Sequence, residues 1–406
     1  MPALDAVTPF SPDDVTPIAD LIGDARVVAI GENNHHIREF GELRNRLLRH
    51  LVTECGFTVL GFESGFTEGF LVDEWLRGGP GEVADVARDG FTFNLGGSPE
   101  MHEMLTWLRE NGEVRYAGLD LPSSAGSPAP ALLAVRRYLE EVDPDVLPLV
   151  EAGLTASEPY ASVSSAIAPG LYAAMAAPAR DAATAALTVL AAHLRSLGPV
   201  YRQRHAGDPH AHAVAEHQAE GALRVDTYLR ELAAMMSGAA PELVSSSRDT
   251  YMASTVQLLR RLHESEKIIL MVHNGHLQRM PFAPKGAMRF PSAGTHLAAE
   301  LGDDYFTLGV TAGAGTTTGL TPDDGERLGF RVHENELPPP AEGSVEAALA
   351  ESGSCLVDLR ANRGKGGSGP SSIRHAHLFT PVDVGEAFDA LVHLPRMSAS
   401  ANVASA

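Results

Sequence analysis

The chain has 406 residues, enough for one large domain or a domain with a subdomain. Its 44% hydrophobic and 20% charged residues describe an ordinary globular protein. A formal net charge of −21 excludes a surface built to hold nucleic acid or an anionic membrane.

The opening segment MPALDAVTPFSPDD has neither the basic nor the apolar region of a secretory leader. No apolar run approaches the roughly 20 residues that cross a bilayer. A cytoplasmic protein is expected. Cys55 and Cys355 both lie in apolar surroundings and require no disulfide.

Taken in order, RVVAIGE (26–32) reads as a strand ending in Glu32, followed at once by Asn33, Asn34, His35 and His36. A helical pattern over 40–55 carries Arg44. FTVLGFES (57–64) is a second strand, ending near Glu63, and VRYAGLD (114–120) a third, ending in Asp120; the helical pattern SPEMHEMLTWLREN lies between them. From about 143 to 237 there is no convincing strand, only alanine-rich segments with apolar spacings of three and four. That stretch reads as a helical insertion or cap, with Asp208-Pro209 expected to start its last helix. KIILMVHNGH (267–276) is a strand that delivers His273 and His276. DYFTLGVTAG, CLVDLRA and FDALVHLP are three more strands. ANRGKGGSGPSS (361–372) has the composition of a flexible loop, and 397–406 that of a disordered tail.

Near-continuous apolar runs alternating with helices predict an α/β fold with a largely parallel central sheet flanked by helices. Residues 1–142 and 238–396 form its two halves, with 143–237 inserted. In such folds ligands bind beyond the carboxyl ends of the strands. Glu32, Glu63, Asp120 and the pair His273 and His276 converge there.

The spacing of Glu32 and His35 lets a carboxylate fix one ring nitrogen and leave the other as a base. His273 and His276 suit polarising a carbonyl, stabilising an oxyanion, or ligating a metal with Glu32, His35 and Glu63. Arg44 is placed to pair with Glu32 or Glu63. His205, His210, His212 and His217 do not share a helix face, apart from 210 and 217, so no metal is expected there. The serine elbow G-x-S-x-G, the H-E-x-x-H helix, a C-x-x-C pair and the P-loop spacing are all missing.

With these residues assembled, the chain resembles the erythromycin esterase family. The resemblance is carried by DARVVAIGENNHHIREFGELRNRLLRHLV, TVLGFESGF, VRYAGLD, RDTYMASTVQLL, MVHNGHLQR, LGDDYFTLGVTAGAGT and FDALVHLPR. The family's G-E-x-x-H signature falls on Gly31, Glu32 and His35, its helix arginine on Arg44, its second-strand glutamate on Glu63, and its paired histidines on His273 and His276. The resemblance implies a cofactor-free, metal-free hydrolase that opens a lactone or ester of a macrolide or polyketide-like small molecule. It implies His35 as the general base, with Glu32 and Glu63 orienting it and His273 and His276 handling the carbonyl. Arg44, His36, Asn33 and Asp120 are expected to contact substrate.

The chain departs from the family at His36, where a small residue is usual, at Asn33 and Asn34, and at His375 and His377. These departures predict a substrate other than erythromycin. The alternative keeps the base but uses it for cyclisation, elimination or intramolecular acyl transfer on a natural product.

Overall fold

The computed structural model describes residues 4 and 6–403 except 206, 265, 286–287, 324 and 367–368. Its strands, in chain order, are β1 (Val7–Pro9), β2 (Val27–Ile30), β3 (Phe57–Gly65), β4 (Arg115–Asp120) and β5 (Lys267–Met271). They continue with β6 (Phe282–Lys285), β7 (Met288–Phe290), β8 (Tyr305–Pro322) and β9 (Phe330–Glu336). The last four are β10 (Cys355–Asp358), β11 (Ser372–His375), β12 (Leu378–Pro381) and β13 (Ala390–Met397).

The main sheet runs β1-β10-β13-β8-β2-β5-β3-β4. From β13 to β4 all neighbours are parallel, while β1 and β10 are antiparallel additions at one edge. Both faces are buried. Val28, Ile30, Ile269 and Met271 point into one apolar layer, and Val27, Ala29, Ile268 and Leu270 into the other. This two-sided burial is why these strands read as unbroken apolar runs. The sheet's order also sets four strand ends side by side, those of β2, β5, β3 and β4, and they carry Glu32, His273, Glu63 and Asp120.

The helices are α1 (Thr16–Ile22), α2 (Arg38–Cys55), α3 (Phe66–Leu76), α4 (Val83–Gly90), α5 (Pro99–Asn111) and α6 (Ala129–Val142). Next come α7 (Leu147–Ser157), α8 (Ala168–Ala174), α9 (Ala177–Arg204), α10 (Ala211–Met236) and α11 (Ser247–Leu262). Four short ones complete the chain: α12 (Asn274–Leu277), α13 (Ala293–Leu301), α14 (Val345–Ala348) and α15 (Val384–Ala387).

Helix α2 shows how sequence sets the site. Phe40, Leu43, Leu47, Leu48 and Leu51 lie at helical spacing and are buried. Each such side chain contributes about 1.5–3 kcal/mol when removed from water. Arg44 falls inside the same stripe, so the packing that docks α2 carries its guanidinium into the interior. Gly56, in the left-handed region at φ 72°, ends the helix and turns the chain into β3.

Among the described residues between 143 and 237, every regular element is helical. Leu132, Val135 and Leu139 of α6 pack with Leu187, Leu190 and Leu194 of α9 and with Ala219 and Ala222 of α10, so this layer is entered already at α6. His212 and His217 are used in its packing, on Tyr138 and Thr255 respectively.

Three expectations need correction. Helix α10 starts at Ala211, and Asp208 instead accepts from His210 N–H in a turn before it. The strands β6, β7, β9, β11 and β12 form hairpins too short or too polar to show as apolar runs. Residues 397–400 are ordered: Met397 is buried in β13, and Ser398–Ser400 bond to the loop after β2. Their small, polar composition reads as disorder, but each of these serines has a partner in the fold. Residues 404–406 of that tail, and 367–368 of the glycine-rich loop, lie outside the described residues.

Candidate active site

The loop after β2 begins with Gly31, whose close approach to Asn274 and to the Leu308 carbonyl leaves no room for a Cβ. Glu32 follows, buried, with one oxygen on Arg44 Nη1 at 2.9 Å and the other on His35 Nδ1 at 2.8 Å. Burial alone would raise the Glu32 pKa, but Arg44 and His35 outweigh it and hold the carboxyl below its ordinary value. Arg44 also donates to the carbonyls of Ile30 and Val272 at 3.2 and 2.7 Å. It therefore ties the ends of two neighbouring strands to the carboxylate that orients His35. It is buried, and it lines a small pocket together with Glu32 and His36.

His35 is the exposed member of the group, with a quarter of its side chain open to solvent. Because Nδ1–H donates to Glu32, Nε2 carries the lone pair. Nε2 lies 3.8 Å from Glu63 Oε1. Burial opposes protonation, yet the bond to Glu32 and the charge of Glu63 push the His35 pKa above its usual value. Phe93 stacks on the ring at 6.5 Å between centroids, and His273 meets it edge-on at 5.8 Å.

Glu63 is the hub. Its Oε2 accepts from His273 N–H at 2.6 Å. Its Oε1 lies 3.1 Å from Arg248 Nη2 and 3.3 Å from His276 Nε2. Burial works against the ionised form, but His276, His35 and Arg248 keep its pKa well below the ordinary range.

His276 donates through Nδ1 to Asp249 at 2.7 Å, and between Asp249 and Glu63 its pKa rises to about 10 despite burial. It is thus a fixed imidazolium with both nitrogens on carboxylates.

His273 has both ring nitrogens engaged with backbone groups. Its Nε2–H donates to the Asn33 carbonyl at 2.8 Å and its Nδ1 accepts from Gly275 N–H at 3.0 Å. Burial and the neighbouring His375 and His35 keep it neutral, with a pKa well below normal. No ring nitrogen is left for a substrate carbonyl.

Two further expected substrate contacts are also internal. Asn33 is fully buried and donates its amide to Thr311 Oγ1 at 3.1 Å. Asp120 is fully buried and grips Arg248, with contacts of 3.0 Å from Nε to each oxygen and 2.6 Å from Nη2. In each case the strand end delivers a group that holds its neighbours.

His36 adopts φ 58°, in the left-handed region where a side chain costs about 1–2 kcal/mol. This explains why a glycine would suit the position. Burial lowers its pKa to about 4, as does the adjacent His35. We expect His36→Gly to melt within a few degrees of wild type, the lost strain offsetting the added chain entropy. His36→Val, with a branched side chain in the same conformation, should melt lower by several degrees. Equal melting temperatures for the two would contradict the strained turn.

His375 sits on His273 at 4.2 Å and on Phe282 at 5.3 Å, at the tip of the β11–β12 hairpin, and burial lowers its pKa to about 4. His377, two residues on, is exposed.

Arg248 and Asp249 went unassigned in the sequence because they stand at the start of α11 and not at a strand end. Their signal was the capping pattern Ser246-x-x-Asp249, in which Ser246 accepts from Asp249 N–H at 3.2 Å. Arg248 lies 5.4 Å below the Phe93 ring, and its Nη1 makes no hydrogen bond among the described residues. Also among the described residues, no group of three or more histidine, cysteine or carboxylate side chains is arranged to hold a metal ion.

The chain is similar to known proteins over nearly its whole length. The family model described as Erythromycin esterase matches residues 52–397. Erythromycin esterase type II of Escherichia coli is 29% identical over 396 residues, covering 96% of this chain and 93% of the relative. Erythromycin esterase type I of Escherichia coli is 27% identical over 390 residues, covering 92% and 91%. A solved erythromycin esterase mutant, EreC in its open conformation, has a TM-score of 0.85 at 25% identity, with 96% of each chain covered. A succinoglycan biosynthesis protein shares the fold, with a TM-score of 0.73 at 20% identity over 97% of this chain and 95% of its own.

Proposed function

The chain belongs to the erythromycin esterase family of hydrolases, and from that premise we propose that it cleaves an ester or lactone of a macrolide or polyketide-like small molecule with water activated by His35. The observation that carries this reading is the pairing at His35. Its Nδ1 is fixed by Glu32, while Nε2 stands 3.8 Å from Glu63 Oε1 at the mouth of the sheet. That gap is too long for a direct hydrogen bond. A water about 2.8 Å from each atom closes the triangle and is held by both.

In the proposed reaction the water oxygen attacks the carbonyl carbon as His35 Nε2 takes its proton. Negative charge gathers on the carbonyl oxygen, facing Arg248 Nη1. The imidazolium, stabilised by Glu32 and Glu63, then returns the proton to the leaving alkoxide as the C–O bond breaks. The products are a carboxylic acid and an alcohol, the mass of one water above the substrate. No serine nucleophile is needed, in keeping with the missing elbow.

Substrate size is argued from Phe93. On one side it stacks on His35, and on another it lines a cavity of about 220 Å³ shared with Phe91, Phe330 and Leu328. Pro130 reaches this cavity from α6, and Val163 from the segment we read as a cap. Glu68, Asp89, Ser123 and Arg327 also line the cavity, so an extended molecule with both apolar and polar groups suits such walls. His36, which lines a small pocket beside Glu32 and Arg44, and His375, packed on His273, are larger than the family norm, which favours a substrate other than erythromycin.

Incubation with a panel of lactones in heavy-oxygen water tests the reading. Hydrolysis places one solvent oxygen in the acid product. Loss of water, or an isomeric product without solvent oxygen, would replace hydrolysis with elimination or with cyclisation by the same base. Rapid opening of a 14-membered erythromycin-type ring would overturn the proposed divergence in substrate.

A further inference from the structure

The residues just past β13 are built into the loop that carries His35. Arg38 N–H donates to the Ser398 carbonyl at 3.0 Å and Ser400 N–H to the His36 carbonyl at 2.8 Å. Together they close an antiparallel bridge between Ile37 and Ala399. Ser398 gives its N–H and its hydroxyl to the two oxygens of Glu39, each at 2.7 Å. The Ser400 hydroxyl is bonded to Glu100, and Ala399 N–H reaches Thr316 Oγ1 at 3.3 Å. Ser400 is 2% exposed.

Three carbonyls of the loop are each held by a different element. The Asn33 carbonyl accepts from Ala376 N–H at 2.7 Å, and the His35 carbonyl from the Thr318 hydroxyl at 2.8 Å. The His36 carbonyl accepts from Ser400. The last of these falls on the residue with φ 58°, directly after the base. A backbone turn in the left-handed region relaxes unless its surroundings hold it. Relaxation at residue 36 rotates the preceding peptide and with it the His35 ring.

We propose that Ser398–Ser400 is a positioning clamp for the catalytic base, fixing the left-handed turn at His36 and so the direction in which His35 presents Nε2. The inference rests on His35 acting as the base in the reading above. The groups facing that ring are Glu32 with Arg44 behind it, Glu63, His273 and His375, together with Phe93. A shift of about 1 Å among them costs up to roughly a hundredfold in rate. The clamp lies outside the sheet, whose last strand ends at Met397. Loss of the clamp therefore loosens the loop and leaves the core packed.

Ser400→Pro removes the N–H donor, while Ser400→Ala retains it. The expected result for S400P is a melting temperature near that of wild type, kcat lower by about tenfold to a hundredfold, and KM within a few fold. Histidine NMR should show the His35 titration moving down toward 6.5, its ordinary value, as the ring leaves its carboxylates. S400A should titrate like wild type. A folded S400P with unchanged kcat and an unchanged His35 titration overturns the clamp. Should S400P not fold, Glu39→Gln, which weakens both Ser398 bonds, is read in the same way. The NMR arm needs no substrate. If wild type cleaves no ester, the proposed function fails while the titration still decides the clamp.

Discussion

Replacing His35 with alanine should lower turnover by about two to four orders of magnitude, the usual contribution of a general base, with little change in melting temperature. The small stability cost follows from its position: the ring is partly exposed and its main bond is to a carboxylate already held by Arg44. The pH profile supplies the matching signature. Glu32 and Glu63 raise the His35 pKa above 6.5, so the lone pair on Nε2 is available only above that raised value. In wild type, kcat/KM should climb with pH on its acid side, with a midpoint above 6.5. In Glu32→Gln the midpoint should move down, because a neutral partner no longer favours the imidazolium. Retention of most activity in His35→Ala would falsify the role of His35 as the base.

Glu63→Gln should be comparably severe, with at least a hundredfold loss in kcat/KM and a lower melting temperature. Glu63, itself buried, lies between two half-buried cations, Arg248 and His276, and beside His35. Removing one partner from a buried charge group typically costs about 3–5 kcal/mol. The pH dependence of stability has a definite sign. His276 titrates near 6.5 when unfolded and at about 10 when folded. Its contribution is therefore complete below 6.5 and is lost as pH rises toward 10. Glu63, whose pKa is depressed, contributes above its unfolded value of 4.5 and loses that contribution in acid. In Glu63→Gln the melting temperature should fall less steeply on both sides, and the His276 titration should drop from about 10. Wild-type rates in the variant would remove Glu63 from the mechanism.

Much of this site was legible in the sequence, for a physical reason. A strand buried on both faces is a run of apolar residues, and the first polar residue after it marks the edge where ligands bind. Glu32, Glu63, Asp120 and His273 were found in that way. What the pattern could not supply was the division of labour. A strand-end polar group can face the cleft or hold a neighbour, and the choice depends on partners distant in sequence. Asp120 turns to Arg248, Asn33 to Thr311, and His273 spends both nitrogens on backbone groups. Arg248 and Asp249 escaped notice because a helix N-terminus carries a capping signature whether or not it is catalytic. The ordered tail escaped because serine and alanine look alike in a disordered end and in a bonded strap.

The sheet's order bears on how the enzyme comes into being. Val27 lies beside Ile268 on one side and Tyr305 on the other, so β2 has no neighbour made from nearby chain. Pairing over such spans is slow, because the closure entropy is met before any contact rewards it. His35, the carboxylates beside it and the cations around them meet only once those distant strands have docked. During refolding, helical signal should therefore return early and turnover last of all.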